Sequence, residues 1–408
     1  MNPHKPVRTP ALWLLGAACA LAPFGGGVHV PSLASIPSEL GSTGSGASTI
    51  SVYIFMLAAT MIPQGWLSDR LGRRPLALAA LATLAVSSVA AAAASSMSEL
   101  LIARAVQGVA AAGVLVIARA AVRDSFDGRE GTRAMSVLST LQTLGLAFAP
   151  VLGAAVGWRW GFGIMGLGAV AILALAMPRW VETRPPTVTR EPASAGGFAS
   201  LWSQPLFLAY ALGLAAMASI YFAFIAAGPT MLVGSGQLTP RSFSLVLLGG
   251  ACACVLGGLF TRTAARRAAS GRLALVGAGV VGLAAAGLVT TWATGGAASA
   301  WCFCYVLYMF GNGIMIPAAM MSALDVPPQV VGLGASILGT LQFLSGALAA
   351  ASVDRFSDPA HALTVVASIA TVVMGTSLAF AEFRSAATAR WSPGIEVPAG
   401  TPMPGDQL

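Results

Sequence analysis

Apolar residues run through this chain in long stretches separated by short polar breaks. A helix that crosses a bilayer takes about 20 apolar residues. Twelve stretches reach that scale, at about 11–33, 48–68, 75–95, 98–122, 134–157 and 160–178, then at about 205–233, 242–261, 272–293, 297–323, 330–353 and 361–382. The first is longer than the apolar core of a signal peptide and has no convincing cleavage site before the next span, so it reads as a retained span. Between Met177 and Gln204 the pattern breaks into Glu-Thr-Arg-Pro-Pro-Thr and then Ser, Gly and Ala, which reads as a linker. The expected organisation is a bundle over 1–178, a cytoplasmic linker over 179–204, a second bundle over 205–383, and a Pro- and Gly-rich tail over 384–408 that reads as disordered. The fold class is all-α and polytopic, with twelve transmembrane helices in two bundles of six.

Composition agrees with this pattern and removes the alternatives. Of 408 residues, 56% are hydrophobic and 9% charged, against roughly a quarter charged in ordinary soluble domains. A soluble fold cannot hide that much apolar surface, so a cytosolic enzyme, a disordered chain and a secreted disulfide scaffold are excluded. The net charge of +8 would suggest nucleic acid in a soluble chain. Here the cations mark topology instead. One set of alternate loops holds Lys5, Arg8, Arg70, Arg73, Arg74, Arg123, Arg129, Arg133, Arg179, Arg184, Arg190, Arg262, Arg266, Arg267 and Arg272, with Arg384 and Arg390 in the tail, whereas the opposite side holds Arg159, Arg241 and Arg355. Positive loops stay inside, which places both termini in the cytoplasm and the protein in the inner (plasma) membrane. The partners expected are membrane lipid and a small molecule, with no nucleic acid, and the chain reads as a monomer.

Cys19, Cys252, Cys254, Cys302 and Cys304 all fall in apolar runs. Members of a C-x-C pair project about 200° apart on a helix, and no His or carboxylate stands by to complete a metal site. They read as small core residues, and neither a metal nor a cofactor is expected.

Two segments echo each other. Gly65-Trp-Leu-Ser-Asp69-Arg70-Leu-Gly72-Arg73-Arg74 follows the second span, and Gly257-Gly-Leu-Phe-Thr-Arg262-Thr-Ala-Ala-Arg266 follows the eighth, 192 residues later. A repeat on this scale is how many transporters are built, from two bundles that rock about a site near the midplane. The first of these segments resembles the loop 2–3 motif of the major facilitator superfamily. Gly65 allows close helix approach, Asp69 can accept charge-assisted hydrogen bonds and Gly72 permits a tight turn. In that family the loop latches the two halves, a role the resemblance extends to Gly65, Asp69, Arg70, Gly72, Arg73, Arg74, Arg123 and Asp124; simple topological anchoring is the other reading of the arginines.

Arg104-Ala-Val-Gln107-Gly108, running on to Arg119-Ala-Ala-Val-Arg123-Asp124, resembles the fourth-span motif of the drug-efflux branch. Gly145-Leu-Ala-Phe-Ala149-Pro150-Val-Leu-Gly153 resembles the antiporter motif of the fifth span, with Ala149 where that motif has Gly. Small residues spaced by four line one helix face, and Pro150 removes a backbone hydrogen bond; a plain packing seam would look the same. Trp158-Arg159-Trp160-Gly-Phe162 resembles the family's outer loop 5–6, and Ala227-Gly228-Pro229 and Gly332-Leu-Gly334-Ala-Ser336, leading into Gly339-Thr340-Leu-Gln342, resemble the bicyclomycin/chloramphenicol-resistance (Bcr/CflA) type of drug:proton antiporter. The resemblance covers about residues 10–382 and implies a secondary exporter of small amphipathic drug-like molecules, working by alternating access in exchange for protons. There is no phosphate-binding Walker loop, and too few convergent nucleophiles, ligands or acids for an enzyme.

One departure matters. The branch carries a carboxylate in its first span, where this chain reads Pro23-Phe-Gly-Gly-Gly27-Val-His29-Val-Pro31. No acid lies well inside spans 1 to 6. His29, about 27 Å into the span, and Arg104 sit at similar depth. Two readings stay open for His29: a proton-sensitive group that replaces the acid, coupled to Arg104, or a polar lining residue. The missing acid also leaves open a proton-independent exporter or facilitator of one endogenous metabolite. An intramembrane Arg costs at least about 2.5–3.5 kcal/mol on insertion scales, so Arg104 should face a protein or water-filled interior. The candidate substrate-binding residues are His29, Tyr53, Phe55, Gln107, Gln142, Tyr221, Phe224, Tyr308, Asn312, Gln342 and Phe343, whose aromatic rings supply flat apolar contact and whose amides orient a ligand.

Overall fold

A computed structural model describes residues 11–126, 128–183, 200–265, 267–326 and 331–390. Among these, twelve long helices follow one another: α1 (Leu12–Gly27), α2 (Ser48–Leu71), α3 (Arg73–Ala93), α4 (Met97–Ser125), α5 (Gly128–Val156), α6 (Trp158–Arg179), α7 (Pro205–Gly228), α8 (Pro240–Ala264), α9 (Ser270–Ala293), α10 (Ala298–Ala323), α11 (Val331–Val353) and α12 (Pro359–Arg390). Eleven are long and apolar enough to cross a membrane, and α5 carries a shorter apolar stretch over Thr140–Val156. The protein is a multi-pass membrane protein. The expected elements are present, with two extensions. The α5 helix starts in the polar segment at Gly128, ahead of its apolar run, and α12 continues to Arg390, into the stretch read as a tail.

Packing repeats with a step of six helices. The pairs α1–α5, α2–α4, α3–α4 and α3–α6 pack in the first half, and α7–α11, α8–α10, α9–α10 and α9–α12 pack in the second. Among the long helices, α2 on α11 and α8 on α5 join the halves, and the same step of six relates one to the other. This is the arrangement that a two-fold repeat requires. Because the helix count is even, α1 begins and α12 ends on one face, called here the terminal face.

At the opposite face the halves close on each other. A 3₁₀ turn at Val30–Ser32 packs on α8 and on the π-helical segment Pro229–Gly234 that ends α7. Gly234 faces Ala34 across this seam, where a Cβ would stand 3.6 Å from the Ala34 Cβ. Toward the terminal face, Trp66, Asp69, Leu71 and Arg119 are exposed.

Glycine sets how near the inner helices come. No Cβ fits at Gly108 of α4 against the Tyr53 carbonyl of α2, nor at Gly313 of α10 against the Cys254 carbonyl of α8. The two sites are equivalent in the repeat, and each Gly follows an amide, Gln107 or Asn312. The cysteine reading needs one correction. Cys19 and Cys304 are buried, but Cys252 is exposed, because the 200° offset within a C-x-C pair turns one member away from the core.

Candidate functional site: a buried arginine and a cation at the cleft

Arg104 lies seven residues into α4 and is wholly buried. It has no carboxylate partner among the described residues. Its Nη1 donates to the Gly25 carbonyl (3.0 Å) and to Gln107 Oε1 (2.7 Å), and its Nε donates to the Thr49 carbonyl (3.2 Å). Its guanidinium carbon lies 4.1 Å from the Tyr53 ring centroid and 5.3 Å from that of Phe162. Gly25 stands in the last turn of α1, where carbonyls have no intrahelical donor. The cation therefore satisfies an orphan carbonyl and sits at the negative end of the helix dipole. This is how a buried charge is held here without a counter-ion, and it ties α1, α2 and α4 together.

The network extends on both sides. Gln107 Nε2 donates to Ser88 Oγ of α3 (3.0 Å), and the Tyr53 hydroxyl donates to the Ala22 carbonyl of α1 (2.6 Å). His29, placed just past α1, has its Nε2 3.0 Å from Thr49 Oγ1. The Thr49 hydroxyl proton goes to the Gly46 carbonyl (2.7 Å), so His29 Nε2 must be the donor and Nδ1 carries the lone pair. Nδ1 is buried without a partner, as is Arg104 Nη2. His29 also packs on Phe162 at 5.3 Å between ring centroids. The expected neighbourhood of His29 and Arg104 is thus real: Thr49 bridges them through its hydroxyl and its carbonyl.

Nearer the terminal face, Arg119 of α4 donates from Nη2 to Gln142 Oε1 of α5 (3.3 Å). The buried Cys19 of α1 lies beside both. The Arg119 side chain therefore turns from α4 toward α5 and α1.

In the second half the predicted residues gather around aromatic rings. Phe224 stacks on Tyr305 at 4.3 Å and on Phe243 at 6.4 Å, and Phe343 meets Phe222 at 6.2 Å, itself edge-on to Tyr221 at 5.0 Å. The Tyr308 hydroxyl donates to the Met217 carbonyl of α7 (2.8 Å), as Tyr53 does to α1. Asn312 Oδ1 and Gln342 Nε2 are buried without partners. Tyr305, Phe222 and Phe243 were not among the sequence candidates; single aromatics in apolar runs carry no signal until a neighbouring helix is placed. Phe55 is 46% exposed, two residues past Tyr53, which faces Arg104 from α2. A groove of about 690 Å³ between α3 and α4 is lined by Val86, Ile102 and Val106 on the outer, lipid-side surface, away from all these residues.

Part of the loop 2–3 segment gathers around Arg73. Arg73, buried at the start of α3, pairs with Asp69 (2.6 Å) and Asp124 (2.9 Å) and donates to Ser68 Oγ. Gly72 makes the turn with φ of 101°. Glu182, in the segment after α6, accepts from the backbone N–H groups of Arg73 (2.9 Å) and Arg74 (3.1 Å), and Arg74 reaches the Met177 carbonyl (2.7 Å). Glu182 is therefore the N-terminal cap of α3. Arg70 lies over the Trp66 ring at 4.1 Å. The side chain of Arg123 lies outside the described ones. Loss of a helix cap costs about 1–2 kcal/mol, so Glu182→Ala should lower the thermal unfolding temperature in detergent while Glu182→Gln loses less.

The fifth-span motif packs on α1. A Cβ at Gly145 would lie 2.5 Å from the Ala20 carbonyl oxygen, one at Gly153 would fall on the Val28 carbonyl oxygen, and the Ala149 Cβ faces Gly27. Among the described residues no group of His, Cys, Asp and Glu could hold a metal ion.

The chain matches the Major Facilitator Superfamily over residues 15–350. It is 32% identical over 260 residues to a chloramphenicol resistance protein of Pseudomonas aeruginosa, covering 60% of each chain. It is 22% identical over 342 residues to a bicyclomycin resistance protein homolog of Haemophilus influenzae, covering 82% of this chain and 86% of that one. Among solved structures, a bacterial homolog of the human lysosomal transporter Spinster, inward-facing and occupied, superposes with a TM-score of 0.73 at 16% identity, over 96% of this chain and 100% of that one.

Proposed function

Because this chain belongs to the Major Facilitator Superfamily, we propose that it is a secondary active exporter of small amphipathic drug-like molecules. It is a transporter and not an enzyme. It sits in the inner membrane with the terminal face cytoplasmic, and it carries its substrate by alternating access between the two halves. The observation that carries this reading is the step-of-six packing, which joins two like bundles at α2–α11 and α8–α5 around inner faces holding Arg104, Gln107, Tyr308 and Asn312. Its kinship to proteins named for chloramphenicol and bicyclomycin resistance supports drugs as the cargo. The test is growth of efflux-deficient cells expressing the protein on a panel of antibiotics. Raised tolerance to chloramphenicol, with lowered intracellular label, is the expected result; unchanged tolerance across the panel would reject the reading.

In this account exchange for protons runs through His29, whose Nδ1 has no partner and whose ring shares Thr49 with Arg104. His29→Gln should flatten the pH dependence of transport in proteoliposomes while the protein remains monodisperse. An unchanged pH profile in that variant would remove His29 from coupling. The second reading, a proton-independent exporter or facilitator of one metabolite, is favoured by the absence of acids from the interior of α1 to α6. An ionophore that collapses the proton gradient separates the two, because only the proton-coupled exporter stops.

A further inference from the structure

The helices that line the cleft are α1, α2, α4 and α5 in one half and α7, α8, α10 and α11 in the other. More than five residues from a helix end, these eight contain two charged residues, Arg104 and Arg119, both positive. Arg104 is buried and engaged with carbonyls, an amide and two rings. Arg119 is different. It is exposed, it has no ion-pair partner among the described residues, and its one hydrogen bond to a side chain there is to Gln142 Oε1. The Gln142 carbonyl is thereby occupied, and its Nε2 is a buried donor with no acceptor. Apart from the Cys19 sulfur, a weak acceptor beside both side chains, the site offers donors: the remaining N–H groups of a guanidinium, which is never an acceptor, backed by an amide N–H₂. Arg119 stands six residues from the terminal-face end of α4 and turns toward α5 and Cys19 of α1; on the exporter reading this is the end from which a substrate enters from the cytoplasm.

We propose, on the exporter reading above, that the cleft admits neutral and anionic amphiphiles and rejects cations, with Arg119 receiving the carboxylate, phosphate or sulfonate of the cargo. A fixed positive charge in a site walled by apolar helices repels cations more strongly than it would in water. It rewards an anionic oxygen through a fork of N–H donors that matches a carboxylate or phosphate. The half-buried rings of Phe222 on α7 and Phe343 on α11 supply apolar wall for the rest of the molecule.

The test uses the purified full chain in proteoliposomes with three probes: fluorescein as the anion, chloramphenicol as the neutral molecule and ethidium as the cation. Fluorescein and chloramphenicol should be carried and should compete with each other, and ethidium should move at least about tenfold more slowly, the low end of what one ionic hydrogen bond contributes. Arg119→Gln should lower the ratio of fluorescein to chloramphenicol transport about tenfold, and Arg119→Lys should restore most of it. Competition in the unmodified protein needs no variant, so a misfolded Arg119→Gln does not spare the proposal. Transport of ethidium as fast as fluorescein, failure of fluorescein to compete, or an unchanged ratio in folded Arg119→Gln each overturns the charge preference and leaves the exporter standing. Transport of none of the three overturns both.

Discussion

Replacing Gly153 by Val should abolish the folded protein, and Gly153→Ala should leave a fraction of it. A Cβ at this position falls on the Val28 carbonyl oxygen of α1. The obstacle is backbone, so no rotamer change relieves it. Overpacking of a core costs typically about 1–3 kcal/mol and occasionally more, and here α1 and α5 would have to separate along the whole seam that Gly145, Ala149 and Gly153 form with Ala20, Gly27 and Val28. That seam also positions Gly25, three residues from Val28, so its loss removes a ligand of Arg104. Ala149→Gly is the contrasting variant: it deletes one methyl group from a site that is already small, and it should be tolerated. Fluorescence-detected size-exclusion chromatography of the three variants reads the order directly. A monodisperse, wild-type-like peak for Gly153→Val would mean that α1 and α5 are not packed as described.

The second large effect concerns Arg104. Arg104→Ala should destabilise the protein by about 3–9 kcal/mol, since it strips a donor from the Gly25 carbonyl, the Thr49 carbonyl and Gln107 Oε1, and each buried group left unsatisfied costs about 1–3 kcal/mol. Native stabilities are themselves about 5–15 kcal/mol, so this variant is expected near the threshold of folding. Arg104→Lys is the informative change. It keeps the charge at the end of α1 but replaces a planar fork by a compact ammonium, which cannot reach α1, α2 and Gln107 with the same geometry. A folded Arg104→Lys with transport lowered at least about tenfold is the expected result, measured as unfolding temperature in detergent beside uptake in vesicles. Equal transport by the lysine variant would show that charge alone is required and that the tie among three helices is not.

The twelve spans, the two halves and the motif-bearing loops were legible because lipid imposes length and apolarity on every crossing. Departures from that rule, such as Arg104, stand out in the sequence for the same reason. What holds Arg104 was not legible. Its ligands include two backbone carbonyls, at Gly25 and Thr49, and carbonyls carry no identity in a sequence. The Glu182 cap lies 109 residues from Arg73, in a segment that reads only as linker, and nothing local distinguishes it from a solubilising charge. The repeat shows in the sequence at Gly65 and Gly257, yet the better structural match is Gln107-Gly108 with Asn312-Gly313, 205 residues apart. Two amides of different length followed by glycine match only once the Tyr53 and Cys254 carbonyls are seen against them. The contact of Arg119 with Gln142 was not legible either, since it joins two helices at positions 23 residues apart.

The claim on which the account rests is that the two halves expose the cleft to one face at a time. Spin labels at Leu71 and Thr263 on the terminal face, and at Thr43 and Gln237 on the opposite face, report it through pulsed dipolar distances in a cysteine-free background. Each pair spans the two halves, and all four residues are exposed. With saturating chloramphenicol and across a pH series, the Leu71–Thr263 distance should shorten in the population in which Thr43–Gln237 lengthens. Distances that stay fixed, or that lengthen together, in protein that still transports would contradict it.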